Sequence, residues 1–167
     1  MFETIALAAY VGLVLFAAFS DASRLIIPNW VSIALTAIFP VAALIAGAPL
    51  LEVGLHLVFA FGVLALGFVL FQLNVIGGGD AKLLAAVSVW TGFTAFMPFI
   101  LWTAIAGGVM ALALLTARSF IPVGTYPAFV DHLLKKQNGI PYGVAIMIGA
   151  LMAIPSLPYL SSPLTLP

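Results

Sequence analysis

The sequence predicts an all-α protein, a polytopic membrane helical bundle, and two observations carry that prediction. Hydrophobic residues make up 65% of the chain and charged residues only 6%, whereas a soluble domain has roughly 25% charged residues. The apolar residues also fall in long runs separated by short polar or Gly/Pro clusters. That pattern is typical of membrane helices of about 20 residues rather than of barrel strands. We therefore expect a single integral membrane domain over residues 1–167.

Five apolar runs locate the predicted helices. They cover residues 4–20, 30–47, 51–73, 83–117 and 142–160. The fourth run is too long for one span, because at ~1.5 Å per residue it extends well beyond a hydrocarbon core of about 30 Å. A break at residues 91–94, or near Pro98, divides it into two helices. The sequence therefore predicts six transmembrane helices.

The distribution of positive charge predicts how these helices are oriented. All Lys and Arg residues fall in connections on one side of the six-helix arrangement, namely Arg24, Lys82, Arg118, Lys135 and Lys136. Because Lys and Arg gather on the cytoplasmic side of membrane proteins, this side is predicted to be cytoplasmic and both termini to lie outside. Lys135 and Lys136 are expected to touch anionic membrane lipid from a surface helix that also holds Asp131 and His132. Trp90 is expected near the opposite interface.

Several classes of function are excluded by what the chain lacks. The absence of cysteine excludes disulfides, thiolate nucleophiles and a Cys-ligated zinc site. The net charge of zero gives no basic field for nucleic acid, so no nucleic-acid partner is expected. Glu52 and His56 have the four-residue spacing of metal ligands, but no third ligand accompanies them, so packing or a hydrogen bond is predicted instead. The N-terminal run carries Glu3 where a signal peptide is positive, which indicates a retained first helix.

Two carboxylates stand out because the predicted topology places them on the same side of the membrane. Asp21 lies at the end of the first helix and Asp80 at the start of the fourth. Glu3 and Glu52 are predicted to face outward, and Asp131 lies in the long loop. Ionisable groups at membrane depth are costly, and a functional role is the default hypothesis for them. Asp21 and Asp80 are therefore the candidate catalytic pair.

The chemistry of such a pair is that of an aspartic protease. Two carboxylates ~4 Å apart repel by about 4 kcal/mol at an effective dielectric constant of ~20, so one stays protonated near neutral pH. The charged member takes a proton from water, and the neutral member gives one to the scissile carbonyl.

Structural roles are the alternatives for the same residues. Asp80 is suited to cap the fourth helix by accepting a backbone N–H from Lys82 or Leu83, and Asp21 to pair with Arg24. Lys82 is expected to face headgroups or water, since residues two apart on a helix point in different directions.

Three motifs at this side resemble those of the type IV prepilin peptidases, membrane aspartic proteases that share a GxGD signature. The matching stretches are Asp21 with the downstream IPN of 27–29, GGGDAK of 77–82 and IPYG of 140–143. The resemblance implies Asp21 and Asp80 as the catalytic residues and cleavage of a prepilin leader at the cytoplasmic face of the bacterial inner membrane. It implies a prepilin or similar precursor as the protein partner, and the two acids need no metal or other cofactor.

The residues around the pair are interpreted as support for the site or as substrate contacts. They are Gly77, Gly78, Gly79, Lys82, Pro28, Asn29, Pro141, Tyr142 and Gly143. Pro28 ends the preceding segment and Asn29 is expected to cap the second helix, while Pro141 is expected to begin the last one. The glycine run permits close approach of backbone or substrate.

The length of the first connection points to a subtype within this family. Larger prepilin peptidases carry a cytosolic insertion with paired CxxC motifs that is associated with methylation of the new N-terminus. Only a handful of residues separate the first two helices here, and the chain has no cysteine. The chain thus resembles the short form that serves tight-adherence (Flp-type) pili. The archaeal preflagellin peptidases, which share the core pattern, are the second candidate within the family.

Two alternatives from other classes use the same residues. In a small proton-coupled transporter or channel, the carboxylates would form a relay, although transport sites lie near the bilayer midplane and these aspartates lie at helix ends. In a non-enzymatic pilus assembly scaffold, the pair would be dispensable.

Overall fold

The computed structural model describes residues 2–120, 133–135 and 139–159. Asp131, His132 and Lys136, which were expected in a lipid-contacting surface helix, lie outside these residues. The described residues contain no β-strand, so the predicted all-α class is confirmed.

The helices follow the predicted order along the chain. Their bounds are α1 (Phe2–Arg24), α2 (Asn29–Ile45), α3 (Leu50–Gln72), α4 (Gly78–Thr91), α5 (Phe96–Phe120) and α6 (Tyr142–Met152), followed by a short 3-10 helix (Ile154–Ser156). The predicted break in the fourth apolar run is confirmed, because α4 and α5 are separated at residues 92–95.

The helices differ in length, and three of them are long and apolar enough to cross a membrane. These are α1, α3 and α5, with 23, 23 and 25 residues. The apolar helices α2 and α6 are shorter, and α4 has only 14 residues. This composition confirms a helical membrane protein, while the number of crossings and the side of the termini stay predictions.

Helix α4 lies at the centre of the bundle. It packs against α3, α2 and α6, and α6 in turn packs between α1 and α5. Small residues allow the closest approach: a Cβ added to Gly67 of α3 would lie 3.0 Å from the Cβ of Ala81. Nine of the fourteen residues of α4 are buried, so most of this helix is enclosed by its neighbours.

The core beside α4 is built from large aromatic side chains. The rings of Tyr10 and Trp90 lie 5.0 Å apart, and the ring of Phe39 lies 5.6 Å from that of Trp90. The indole N–H of Trp90 donates to the carbonyl oxygen of Leu35 at 3.0 Å, and Tyr10 donates to that of Ala150 at 3.3 Å. Trp90 is only 3% exposed. It is therefore packed in the core in the last turn of α4, and its position near the opposite interface stays a prediction.

The two ends of the bundle carry different polar groups. We call the end with Asp21 and Asp80 the carboxylate end, and the end with Glu52 the opposite end. At the opposite end Nδ1 of His56 bonds to the carbonyl oxygen of Val89 at 2.7 Å, and the phenol of Tyr159 donates to Oε2 of Glu52. The prediction that Glu52 and His56 serve packing and hydrogen bonding is confirmed by these contacts.

Candidate active site

Asp21 lies in the last turn of α1, where the chain reverses sharply. The N–H of Leu25 donates to the carbonyl oxygen of Asp21 at 2.7 Å, and Leu25 has a φ of 55°, the left-handed conformation that commonly ends a helix. The hydroxyl of Ser20 donates to the carbonyl oxygen of Ile26 at 2.7 Å. This bond holds the connection between α1 and α2 against the end of α1. The side chain of Asp21 is thereby turned into the protein, with 5% of the residue exposed.

The carboxylate of Asp21 is held by the first turn of α6. The N–H of Gly143 donates to its Oδ2 at 2.6 Å. The first N–H groups of a helix have no partner inside that helix and carry its positive dipole end, so they bind a carboxylate well. A Cβ on Gly143 would lie 2.9 Å from Oδ2 and from the Cβ of Asp21, so only glycine allows this contact without displacement. No ion pair joins Asp21 to Arg24 in the part of the chain that the structure describes.

Asp80 lies in the first turn of α4, and its predicted role as the cap is wrong. The cap is Gly77, whose backbone is extended (φ −71°, ψ 146°), and Asp80 is the third residue of the helix. From that position the carboxylate turns back to the backbone N–H of Gly77. This matches the geometry in which an acid at the third helical position satisfies the N–H of the cap residue. A Cβ on Gly77 would lie 2.7 Å from Oδ2 of Asp80.

The other two glycines of the run join this turn to its neighbours. Gly78 lies against the ring of Phe71, and Gly79 lies against Ile27 of the IPN motif, with an added Cβ 3.2 Å and 3.3 Å from them. Pro28, not Asn29, is the cap of α2, because its ψ of 135° gives it an extended backbone (φ −64°) and Asn29 is already helical. The predicted cap at Asn29 is therefore also wrong.

Asp21 and Asp80 face one cavity of about 630 Å³ at the carboxylate end, and they are close enough to repel each other. The residues that line it are Asp21, Leu25, Phe71, Asn74, Val75, Ile76, Gly77, Asp80, Arg118, Gly139, Ile140 and Tyr142. The structure thus brings together the three motifs that are far apart in sequence. Pro141 caps α6 and does not line the cavity.

Arg118 is a charged lining residue that sequence reasoning did not assign to the site. Its Nε and Nη2 donate to the carbonyl oxygen of Leu133 at 3.0 and 2.8 Å, and Nη2 also donates to that of Gly139 at 3.0 Å. These bonds tie the end of α5 to the chain that leads into α6. The feature of the sequence that could have indicated Arg118 is its position as a single basic residue in the last turn of a long apolar helix.

Two of the predicted support residues, Lys82 of α4 and Asn29 of α2, lie away from the cavity of the two carboxylates. The ammonium of Lys82 is exposed, as expected, and donates to Oδ1 of Asn29 at 2.9 Å. Neither residue lines the cavity of the two carboxylates. Lys82 therefore does not reach Asp80 from the neighbouring position in the sequence.

The chemistry available in the cavity is that of two carboxyl groups. In the described ranges no group of three or more His, Asp or Glu side chains is arranged to hold a metal ion. Two acids in one partly polar cavity can share a proton and act together as general acid and general base.

A comparison with known protein families gives one match. The family model of the type IV leader peptidase family matches residues 8–112, a range that includes Asp21, Asp80 and the glycine run. No curated protein matches the chain. No solved structure matches it either.

Proposed function

Because the chain belongs to the type IV leader peptidase family, we propose that it is an aspartic endopeptidase that removes the leader of prepilin-like proteins. Asp21 and Asp80 are its catalytic residues, and cleavage takes place at the cytoplasmic face of the bacterial inner membrane. The observation that carries this proposal is the cavity of about 630 Å³ that both carboxylates face.

The proposed reaction needs one ionised and one protonated carboxyl group. A water held between Asp21 and Asp80 loses a proton to the ionised carboxylate and attacks the scissile carbonyl carbon. The protonated carboxyl gives its proton to the carbonyl oxygen, so a neutral tetrahedral intermediate forms. Collapse of this intermediate breaks the C–N bond. The nitrogen takes a proton from the carboxyl group that accepted one from water, and a hydroxyl of the intermediate returns a proton to the other carboxylate, which restores the singly protonated pair. Repulsion between the two carboxylates favours the singly protonated state with which each cycle begins.

The backbone contacts are proposed to orient the pair. The N–H of Gly143 fixes Oδ2 of Asp21, and the N–H of Gly77 restrains Asp80. Donors that belong to helix ends cannot rotate away as side chains do, which keeps the reacting groups near the productive geometry.

The substrate is proposed to be a small precursor with a basic leader followed by a hydrophobic segment. Both carboxylates lie in terminal turns of helices rather than at mid-helix. A bond between a soluble leader and a membrane segment would be presented at that depth. The short connection between α1 and α2, and the lack of cysteine, favour the Flp-type short form without methyltransferase activity.

The same position at the helix ends argues against the transporter alternative. Binding sites of secondary transporters lie near the bilayer midplane, at the interface of internal repeats. Here the two carboxylates share a cavity at one end of the bundle, and large buried side chains occupy the centre.

The test is co-expression with a candidate prepilin, with loss of the leader followed by gel mobility and mass spectrometry. Asp21→Asn and Asp80→Asn should each abolish processing and still insert in the membrane. Glu52→Gln is the matched control, because it neutralises a carboxylate at the opposite end and should process normally. Full processing by either aspartate variant would refute the catalytic pair.

The orientation is tested separately with reporter fusions within residues 121–138. Cytoplasmic reporter activity is expected. An external signal would overturn the proposed side of cleavage.

A further inference from the structure

A second concave surface lies between α2, α3 and α4, and the proposed reaction does not use it. It has a volume of about 930 Å³ and shares no lining residue with the cavity of the carboxylates. We call it the α2–α3–α4 groove. It is lined by Asn29, Ser32, Ile33, Thr36, Ala37, Leu57, Ala60, Phe61, Leu64, Ala65, Phe68, Lys82, Ala85, Ala86 and Val89.

The polar groups of the groove are gathered near its end at the carboxylate side. Lys82 is exposed there, and one of its three ammonium protons goes to Oδ1 of Asn29. Ser32 follows Asn29 by about one helical turn on the same wall. The remaining ammonium protons of Lys82 are available to an anionic group.

The hydroxyl of Ser32 is the second observation that points to a ligand. Ser32 is 9% exposed, and within the described residues its Oγ is a buried side-chain atom without a hydrogen-bond partner. Its own carbonyl oxygen is used by the hydroxyl of Thr36 at 2.8 Å. A buried hydroxyl without a partner costs free energy, so an acceptor supplied by a ligand at this position would be stabilising.

The remainder of the groove is apolar, and its size helps to decide between occupants. Small residues of α4, Ala85 and Ala86, form the floor, and α2 and α3 form the walls. At about 30 Å³ for each water-sized group, the volume holds on the order of 30 such groups, which is comparable to the two tails of a phospholipid. An α-helix about 10 Å wide that followed the groove from Leu57 to Phe68 would need more room than this.

We propose that the α2–α3–α4 groove binds one anionic phospholipid. Its phosphate lies at the ammonium of Lys82, an ester carbonyl oxygen accepts the hydroxyl of Ser32, and its tails lie along Ala85, Ala86 and Val89. The order of the groups in the groove, a cation, then a hydroxyl donor and then an apolar channel, follows the order of groups in such a lipid. This binding does not depend on the peptidase reaction.

The experiment is native mass spectrometry of the full-length detergent-solubilised protein with two lipids of identical chains. Dioleoyl phosphatidylglycerol is the anionic probe, and dioleoyl phosphatidylcholine is the zwitterionic one. We expect one retained phosphatidylglycerol with roughly fivefold tighter binding than phosphatidylcholine, since one Lys near a membrane surface contributes that much to anionic lipid binding.

Variants separate the two parts of the site. Lys82→Gln should reduce the roughly fivefold preference to near one, and Ser32→Ala should weaken both lipids. Ala37→Phe, which adds bulk at an exposed position of the wall, should also weaken both. Arg24→Gln is the matched control, because it removes an exposed cation outside the groove and should keep the preference.

Other outcomes overturn the proposal. Equal retention of the two lipids by the unchanged protein, or a preference that survives Lys82→Gln, would exclude recognition of the phosphate at Lys82. Displacement by sn-glycerol 3-phosphate would indicate a site for a free anion. Displacement by an equimolar Leu-rich transmembrane peptide would assign the groove to a protein segment.

Discussion

The two ends of the bundle each hold carboxylates, but they hold them in different ways. At the opposite end Glu52 is exposed, and its Oε2 accepts the phenol of Tyr159, a side chain on the chain beyond α6. At the carboxylate end Asp21 is 5% exposed and is held through Oδ2 by a backbone N–H. Among the described residues, Oδ1 of Asp21 accepts no hydrogen bond and the carboxylate faces the cavity.

The difference separates a carboxylate that fastens the structure from one that is available for chemistry. The Glu52 contact joins an exposed carboxylate to the phenol of the half-buried Tyr159, whose ring packs against Phe39 and His56. The Asp21 contact uses a helix end on one oxygen and leaves the other open to a reactant. A fixed donor on one side and an open cavity on the other are what a preorganised catalytic group requires.

The largest expected effect on the cleavage rate comes from replacing the two aspartates at the carboxylate end. Asp21→Asn and Asp80→Asn should each reduce the cleavage rate of purified protein by about 10³-fold or more, and the double variant should be little worse than either. Residues that act as one unit behave in this non-additive way. Peptide cleavage in detergent or nanodiscs measures the rates, and independent multiplicative losses would contradict a shared proton.

The next largest effect on the cleavage rate is expected from Gly143, whose N–H donates to Asp21. Gly143→Ala places a methyl group 2.9 Å from Oδ2 of Asp21. We expect a loss of about 10²-fold in cleavage rate, since a displacement of about 1 Å is that costly. Alanine favours a helix more than glycine, so weakening of α6 cannot explain the loss.

The control for this glycine is Gly108→Ala on α5, where an added Cβ meets no atom within 4 Å. It should cleave at the normal rate. A Gly143→Ala variant that is fully active would show that the N–H contact does not position Asp21.

A smaller effect on the cleavage rate is expected from Arg118, whose hydrogen bonds join the end of α5 to the chain before α6. Arg118→Lys keeps the charge but loses the planar fork that bonds the carbonyl oxygens of Leu133 and Gly139 together. We expect about a tenfold lower kcat with a smaller change in KM, because the segment that leads to Gly143 is less well positioned. Arg24→Lys is the control, and steady-state kinetics separates the two constants. An equal loss in the control would show that the effect does not come from the bonds that Arg118 makes to Leu133 and Gly139.

The smallest effect tests the opposite end. Tyr159→Phe should lower the free energy of unfolding by about 1 kcal/mol or less, and the cleavage rate should stay within about twofold. A double-mutant cycle with Glu52→Gln measures the coupling of the two side chains by thermal unfolding. A large loss of cleavage would show that the two ends are not independent.

The helices and the acid pair could be predicted because their signals are local. Run length and the cost of a polar group in lipid locate α1 to α6 and single out Asp21 and Asp80. The partners of these acids could not be predicted from spacing, because they are backbone groups brought close by packing. The IPYG motif placed Gly143 near the pair, but nothing in the sequence identified its backbone N–H as the donor to Asp21.

The caps and Trp90 show a second limit of sequence reasoning. Asp80 and Asn29 are good capping residues by type, but the extended conformations of Gly77 and Pro28 move the helix starts upstream. Trp90 is buried because it packs against Tyr10 and Phe39, which lie on other helices and far away in the sequence. The neighbouring backbone decides the two caps, and packing between helices decides the burial of Trp90.

The shortness of α4 also bears on leakage across the membrane. At ~1.5 Å per residue, its 14 residues rise only ~21 Å, less than a hydrocarbon core of about 30 Å. At its far end the ring of His56 lies over Gly92, and Phe39 stacks on His56 at 5.0 Å. Water that reaches Asp21 therefore meets an aromatic plug beyond the core, and we expect the protein to hydrolyse peptides without dissipating the proton gradient.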